Sequence, residues 1–171
     1  MVYKIIFFIC LFKSIVAYNI CIVGAGGALG RELTYQAVQD YKQNILCLTK
    51  NPNNYIYTPY RGNGFNDIKQ LKPINSSLIT INTYLEYNYD YEHIIFCTGA
   101  GPFEYDYSYH IFNNFLNNLS PKCKSISILS AYGTGNSLNE SNIGIQLMNS
   151  YYLKATYKCK NIMEKKLEQY D

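Results

Sequence analysis

Gly24, Gly27 and Gly30 stand three residues apart, in Ile20-Cys21-Ile22-Val23-Gly24-Ala25-Gly26-Gly27-Ala28-Leu29-Gly30. The glycines fall where an apolar, β-forming run gives way to a helical pattern. Each has a distinct use in a phosphate cradle. The first allows a tight turn off the strand, the second lets a pyrophosphate approach the backbone, and the third lets the helix pack closely on the strand. The anion would rest on N–H groups at the helix start, aligned with the helix dipole. Gly24, Ala25, Gly26, Gly27, Leu29 and Gly30 are the candidate cradle residues. The alternative is a glycine-rich strand-to-helix turn that holds no ligand.

Further polar residues fall at the ends of later apolar runs. Thr49-Lys50-Asn51-Pro52 follows the second run, about where an acid would bind a ribose 2′-hydroxyl. No acid is present, and Lys50 can meet a 2′-phosphate instead, which favours NADP over NAD. The competing reading of Lys50 is a solvated lysine in a turn. Thr98-Gly99-Ala100-Gly101 follows a fourth run and would face the first glycine turn across the cofactor. Ser130 follows a fifth, and Lys160 lies on the last helical segment.

These residues need a scaffold of alternating strands and helices. Leu29, Leu33, Ala37, Val38 and Tyr41 recur at helical spacing and predict an apolar stripe. Ile45-Leu46-Cys47-Leu48 arrives at the distance a parallel crossover requires. Leu78 to Thr83, His93 to Cys97 and Ser125 to Leu129 complete five strand candidates. Residues 51–77 are rich in Asn, Pro, Gly and Tyr, and predict a long loop with a short helix near Asp67 to Leu71. Tyr109, Phe112, Leu116 and Leu119 mark a helix, with His110 off its apolar stripe and on the surface. The final helix runs from about Ser150 to Gln169, with Leu153, Tyr157, Cys159, Ile162, Met163 and Leu167 as its apolar members.

The totals suit one globular domain. The chain has 171 residues, of which 48% are hydrophobic, and a net charge of +3 too scattered to argue for nucleic acid. Abundant Asn, Tyr, Ile and Lys with no Trp fit an AT-rich coding bias, so a single Tyr or Asn carries little weight. The six cysteines at 10, 21, 47, 97, 123 and 159 include no C-x-x-C pair. Cys21, Cys47 and Cys97 lie in apolar runs and read as buried hydrophobes in a reducing compartment, with neither a metal site nor a disulfide framework. Residues 1–17 form an apolar stretch too short to span a bilayer. They are either a signal peptide ending at Ala17 or an apolar extension from an extra strand or a misjudged gene start. The protein is then secretory or organellar in the first case, and cytoplasmic in the second.

Together the pieces resemble the atypical short-chain dehydrogenase/reductases, in particular the NmrA-like and biliverdin/flavin-reductase-like NAD(P)-binding proteins. The resemblance covers roughly residues 18–170. It rests on the glycine turn, Thr49 to Pro52, Thr98 to Gly101, Ser130-Ala131-Tyr132-Gly133, and Lys160-x-x-x-Glu164. It implies a Rossmann-like α/β domain over 18–171, with five parallel strands in order 3-2-1-4-5 and helices on both faces. It also implies NADP (or NAD) as cofactor and hydride transfer to a small carbonyl, quinone, flavin or tetrapyrrole, with Ser130 and Lys160 in proton transfer and ribose binding. The family's helical tyrosine is missing. Its position is Thr156, and Tyr157 lies one residue, or about 100°, away. If Lys160 is not the family lysine, it is a solvated helix charge. The strands that finish the family's sheet and substrate pocket are also missing. Self-association through that side, or a truncated chain, is the expectation. The rival to an oxidoreductase is a non-catalytic nucleotide sensor or scaffold, since fold does not settle function.

Overall fold

A computed structural model describes residues 18–59, 72–84, 89–99, 105–129, 142–144, 146–147 and 154–170. Strand β1 (Tyr18–Val23) is the centre of the sheet. Its run of β-branched residues is buried on both faces, as a strand enclosed between helices must be. It leads through the glycine turn into α1 (Ala28–Tyr41), and then into β2 (Ile45–Thr49) and β3 (Ile79–Thr83). Strand β4 (Tyr91–Phe96), helix α2 (Tyr105–Asn117), strand β5 (Ser125–Ile128) and helix α3 (Lys154–Leu167) complete the order. All four strand pairings are parallel and the sheet order is β3-β2-β1-β4-β5. The expected fold class is therefore the observed one.

A sheet covered on both faces has two cores. One joins Ile22, Ile45, Cys47 and Ile79 to Ala37 and Val38 of α1. The other joins Cys21, Val23, Leu46, Leu48, Ile94 and Phe96 to α2 and to Cys159 and Met163 of α3. Phe96 anchors the second core, with its ring edge-on to Phe112 at 5.0 Å and Phe115 at 5.8 Å. The described cysteines 21, 47, 97, 123 and 159 are free, and all but Cys123 are buried. Burial pushes the thiols of Cys21 and Cys47 up from their ordinary range, and Cys97 up to about 11. They fill space and remain protonated at neutral pH.

Strand β5 pairs only with β4 among the described strands. Three polar pairs set its register at the amino end: Lys122 Nζ to Asp90 at 2.7 Å, Lys124 Nζ to Glu92 at 2.9 Å, and His93 Nδ1 with Ser125 Oγ at 2.7 Å. Exposed ion pairs add little energy, but a one-residue slip would break all three.

Three details differ from the sequence reading. The buried stripe of α1 is Gly30, Thr34, Ala37 and Val38, while Leu29 is 39% exposed and Tyr41 70% exposed. Close contact with the sheet favours small residues there, so the large apolar ones turn outward. Residues Ser76–Leu78 form a 3₁₀ turn before β3, so that strand starts at Ile79. Strand β4 starts earlier, at Tyr91, and ends at Phe96, which leaves Cys97 just beyond it. The helix expected near Asp67 to Leu71, the start of the last helix with Leu153, and residues 1–17 lie outside the described residues. His110 is exposed, as expected.

Candidate functional site

The carboxyl ends of β2, β1 and β4 lie side by side, and the glycine turn is wedged between its neighbours. Gly24 and Ala25 donate backbone hydrogen bonds to Leu48 O at 2.9 and 3.1 Å, and Cys97 N–H donates to Val23 O at 2.7 Å. Gly24 has φ +91, and a Cβ built there would lie 2.8 Å from Thr98 N and 2.9 Å from Cys97 C. No L side chain fits such a position. A Cβ on Gly26 would lie 2.5 Å from the Thr49 hydroxyl. A Cβ on Gly30 would lie 2.7 Å from Ala25 Cα, and closer still to the Gly24 carbonyl oxygen.

Gly27 and Gly99 are different. A Cβ on Gly27 would meet only Gly24 O, at 3.4 Å, and one on Gly99 would meet nothing within 4 Å. Both residues are exposed. The fold therefore requires glycine at 24 and 30, and leaves open space beside 27 and 99. Gly27 is also the residue that precedes α1. Its backbone is extended (φ −74, ψ 169), no side chain caps the helix, and its first turn carries no acid. The first N–H groups of α1 have no acceptor inside the helix. A negatively charged group lying over Gly27 would meet those donors and the positive end of the helix dipole. Leu29, in the same first turn, is exposed beside them.

Thr49 is buried at the end of β2, and Lys50 is exposed just after it. Sequence reasoning missed Arg31, in the first turn of α1. Its Nε donates to Thr58 O at 2.7 Å and its Nη2 to Thr58 Oγ1 at 3.2 Å. Tyr55 packs into the α1-side core, with its hydroxyl 3.8 Å from Cys47 Sγ. The segment after β2 is thereby strapped onto α1 beside the glycine turn. The signal was an arginine directly after the last glycine.

Lys160 is not a solvated helix charge. It is 4% exposed, and its Nζ donates to the Thr98 carbonyl at 2.9 Å. Burial lowers its pKa, while Cys159, Cys97 and Glu164 draw it back up. The structure thus brings Lys160 to the β4 end of the crevice, where Thr98 and Gly99 face the glycine turn. Thr156 and Tyr157 are both half-buried one turn or less away. Ser130, Ala100 and Gly101 lie outside the described residues. Among the described residues there is no cluster of side chains able to hold a metal ion, and no helix long and apolar enough to cross a membrane. No family model matches the chain, and no curated protein matches it either.

Proposed function

We propose that the chain binds NAD(P), with NADP preferred, across the carboxyl ends of β1, β2 and β4. One observation carries this reading. The glycine turn combines positions the fold forces to be glycine with an exposed one, Gly27, that the fold would allow to carry a side chain. An open, side-chain-free surface over helix N–H groups is what a pyrophosphate needs. It lies where the chain reverses direction across the sheet, the usual ligand crevice of open α/β sheets. Gly99, equally open, would form the opposite wall.

The same residues support membership of the atypical short-chain dehydrogenase/reductases, and with it hydride transfer from NADPH to a small carbonyl, quinone, flavin or tetrapyrrole. The protein's part would be to hold the nicotinamide against the acceptor. Lys160 would act at the crevice wall, with Ser130 in the proton-transfer role that the resemblance implies. With Thr156 where the family has tyrosine, the acceptor's proton would come from solvent or another group. NADPH oxidation against a panel of such acceptors tests the reaction. Binding of NADPH with no oxidation by any acceptor would assign the chain as a nucleotide sensor instead.

Cofactor preference supplies a prediction. NADPH should bind more tightly than NADH, and Lys50→Ala should remove about 1.5–3 kcal/mol of that preference, the worth of a charged hydrogen bond. Titrating both nucleotides against the two proteins measures it. Equal affinities in the native chain would make Lys50 a solvated turn residue.

A second proposal concerns β5. Ser125 and Ser127 of β5, and Leu129 just after it, are exposed, and among the described residues β5 pairs only with β4. An open strand edge invites pairing with another strand, so the chain should self-associate on this side. Sedimentation at increasing concentration checks it, and a monomer throughout would remove the proposal.

A further inference from the structure

Arg31 stands in the first turn of α1, directly after Gly30. The dipole makes this end of a helix the unfavourable one for a cation. No acid lies in that turn, and among the described residues no carboxylate pairs with the guanidinium. Both of its hydrogen bonds go to neutral acceptors on Thr58, from Nε to the carbonyl at 2.7 Å and from Nη2 to the hydroxyl oxygen at 3.2 Å. An uncharged donor would tie the segment after β2 to α1 just as well. The charge therefore calls for a second account.

The pair has donors to spare. A guanidinium carries five N–H groups, and Thr58 takes two of them. The Thr58 hydroxyl accepts from Arg31, so its own proton can go to a further acceptor. Arg31 is half-buried and Thr58 exposed, so both can be reached from solvent.

Their place in the fold says which ligand atom comes near. Thr49, at the end of β2, lies against the glycine turn at Gly26, and exposed Lys50 follows it. The chain passes through the 3₁₀ turn Pro52–Asn54 and returns to α1 by Tyr55, which packs in the α1-side core. Arg31 and Thr58 thus stand on the β2 side of the glycine turn. Arg31 N–H donates to Gly27 O at 3.0 Å, one helical turn from the open residue over which a pyrophosphate would lie. The β2 side is where the adenosine ribose of a bound dinucleotide falls.

We propose that Arg31, oriented by Thr58, selects NADP over NAD by gripping the 2′-phosphate together with Lys50. The remaining guanidinium N–H groups and the Thr58 hydroxyl donate to the phosphate oxygens, and the phosphate supplies the counter-charge that α1 lacks. A 2′-hydroxyl in the same place leaves the cation uncompensated. This assignment rests on the dinucleotide reading above.

The test titrates NADPH and NADH against the full chain, Arg31→Gln and Thr58→Val, with urea unfolding of each protein. Arg31→Gln should weaken NADPH binding by between about tenfold and a hundredfold, the loss of a charged hydrogen bond, and leave NADH within about twofold. Thr58→Val keeps the carbonyl that accepts from Nε and should weaken NADPH alone, by about threefold to tenfold. Equal losses for both nucleotides in Arg31→Gln would make the arginine a strap that shapes the loop, and would overturn the proposal. So would an unchanged affinity for NADPH. Should Arg31→Gln fail to unfold cooperatively, Thr58→Val decides, and an unchanged ratio of the two affinities overturns the proposal. A native chain that binds NADPH and NADH equally overturns this assignment and leaves the dinucleotide reading standing. A native chain that binds neither overturns both.

Discussion

Gly27→Val is expected to abolish dinucleotide binding and leave the domain folded, whereas Gly30→Ala is expected to unfold it. The two glycines are three residues apart and look equivalent in the sequence. At Gly30, an added Cβ would lie 2.7 Å from Ala25 Cα and 2.9 Å from Gly24 C. These are backbone atoms held by hydrogen bonds to β2, so they cannot step aside. The helix would have to lift off the sheet, opening the 3.4 Å contact between Thr34 Oγ1 on α1 and Cys47 Sγ on β2. Overpacking of this kind costs ~1–3 kcal/mol where side chains can yield and more where only backbone is present. Against a total stability of about 5–15 kcal/mol, that is a large fraction. At Gly27 the backbone is already extended and a Cβ meets one atom at ordinary contact distance. The cost to the fold is a poorer helix cap, about 1 kcal/mol. The valine would, however, occupy the surface over the α1 N–H groups. Nucleotide titration together with urea unfolding followed by far-ultraviolet circular dichroism measures both halves. Unchanged affinity in Gly27→Val would remove the dinucleotide reading, and a fully stable Gly30→Ala would remove the close-packing argument.

This contrast shows what the sequence could carry. The inner strands were legible because parallel strands buried on both faces write themselves as continuous apolar runs, and the glycine turn fixed where the first crossover begins; the order of the strands came with the resemblance. The helix stripe was less legible. Leu29 and Tyr41 fit the period, but close packing on β1 selects Gly30, Thr34 and Ala37, which hydropathy ranks low. Lys160 was legible only as a choice between a charged surface and a site, because a lysine's period on α3 does not reveal that its stem reaches the β4 turn. Thr98 carried a signal as part of a glycine turn, but its unpaired hydroxyl did not. The strap formed by Arg31 and Thr58 joins residues 27 apart, a pairing no local pattern encodes.

Stability should fall as the pH rises above about 9, and Lys160→Met should make that fall steeper. The thiols of Cys21, Cys47 and Cys97 are held protonated by burial, and the hydroxyls of Tyr55 and Tyr91 are pushed up for the same reason. In the unfolded chain these thiols ionise near their ordinary value of 9.0, while Cys97 in the fold holds its proton to about 11. Across that window the unfolded state binds fewer protons than the folded one, so raising the pH favours unfolding. Lys160 works the other way. Its folded pKa lies below the ordinary 10.5, so between those two values the unfolded chain holds the proton that the folded chain has lost, and stability rises with pH. One lysine opposes three thiols and two phenols, and the net slope is downward. Removing the amine takes away the opposing contribution of one proton, about 1.4 kcal/mol per pH unit wherever the two states differ by that full proton. Urea unfolding of the native chain and Lys160→Met from pH 7 to 11, under reducing conditions, reads both slopes. Any gain in stability of the variant over the native chain should be greatest at neutral pH and shrink toward pH 10.5, where the native lysine no longer pays to be buried. Parallel profiles would mean that Lys160 keeps an ordinary pKa in the fold, and that its ammonium is better compensated than the bond to Thr98 O and the charge of Glu164 provide.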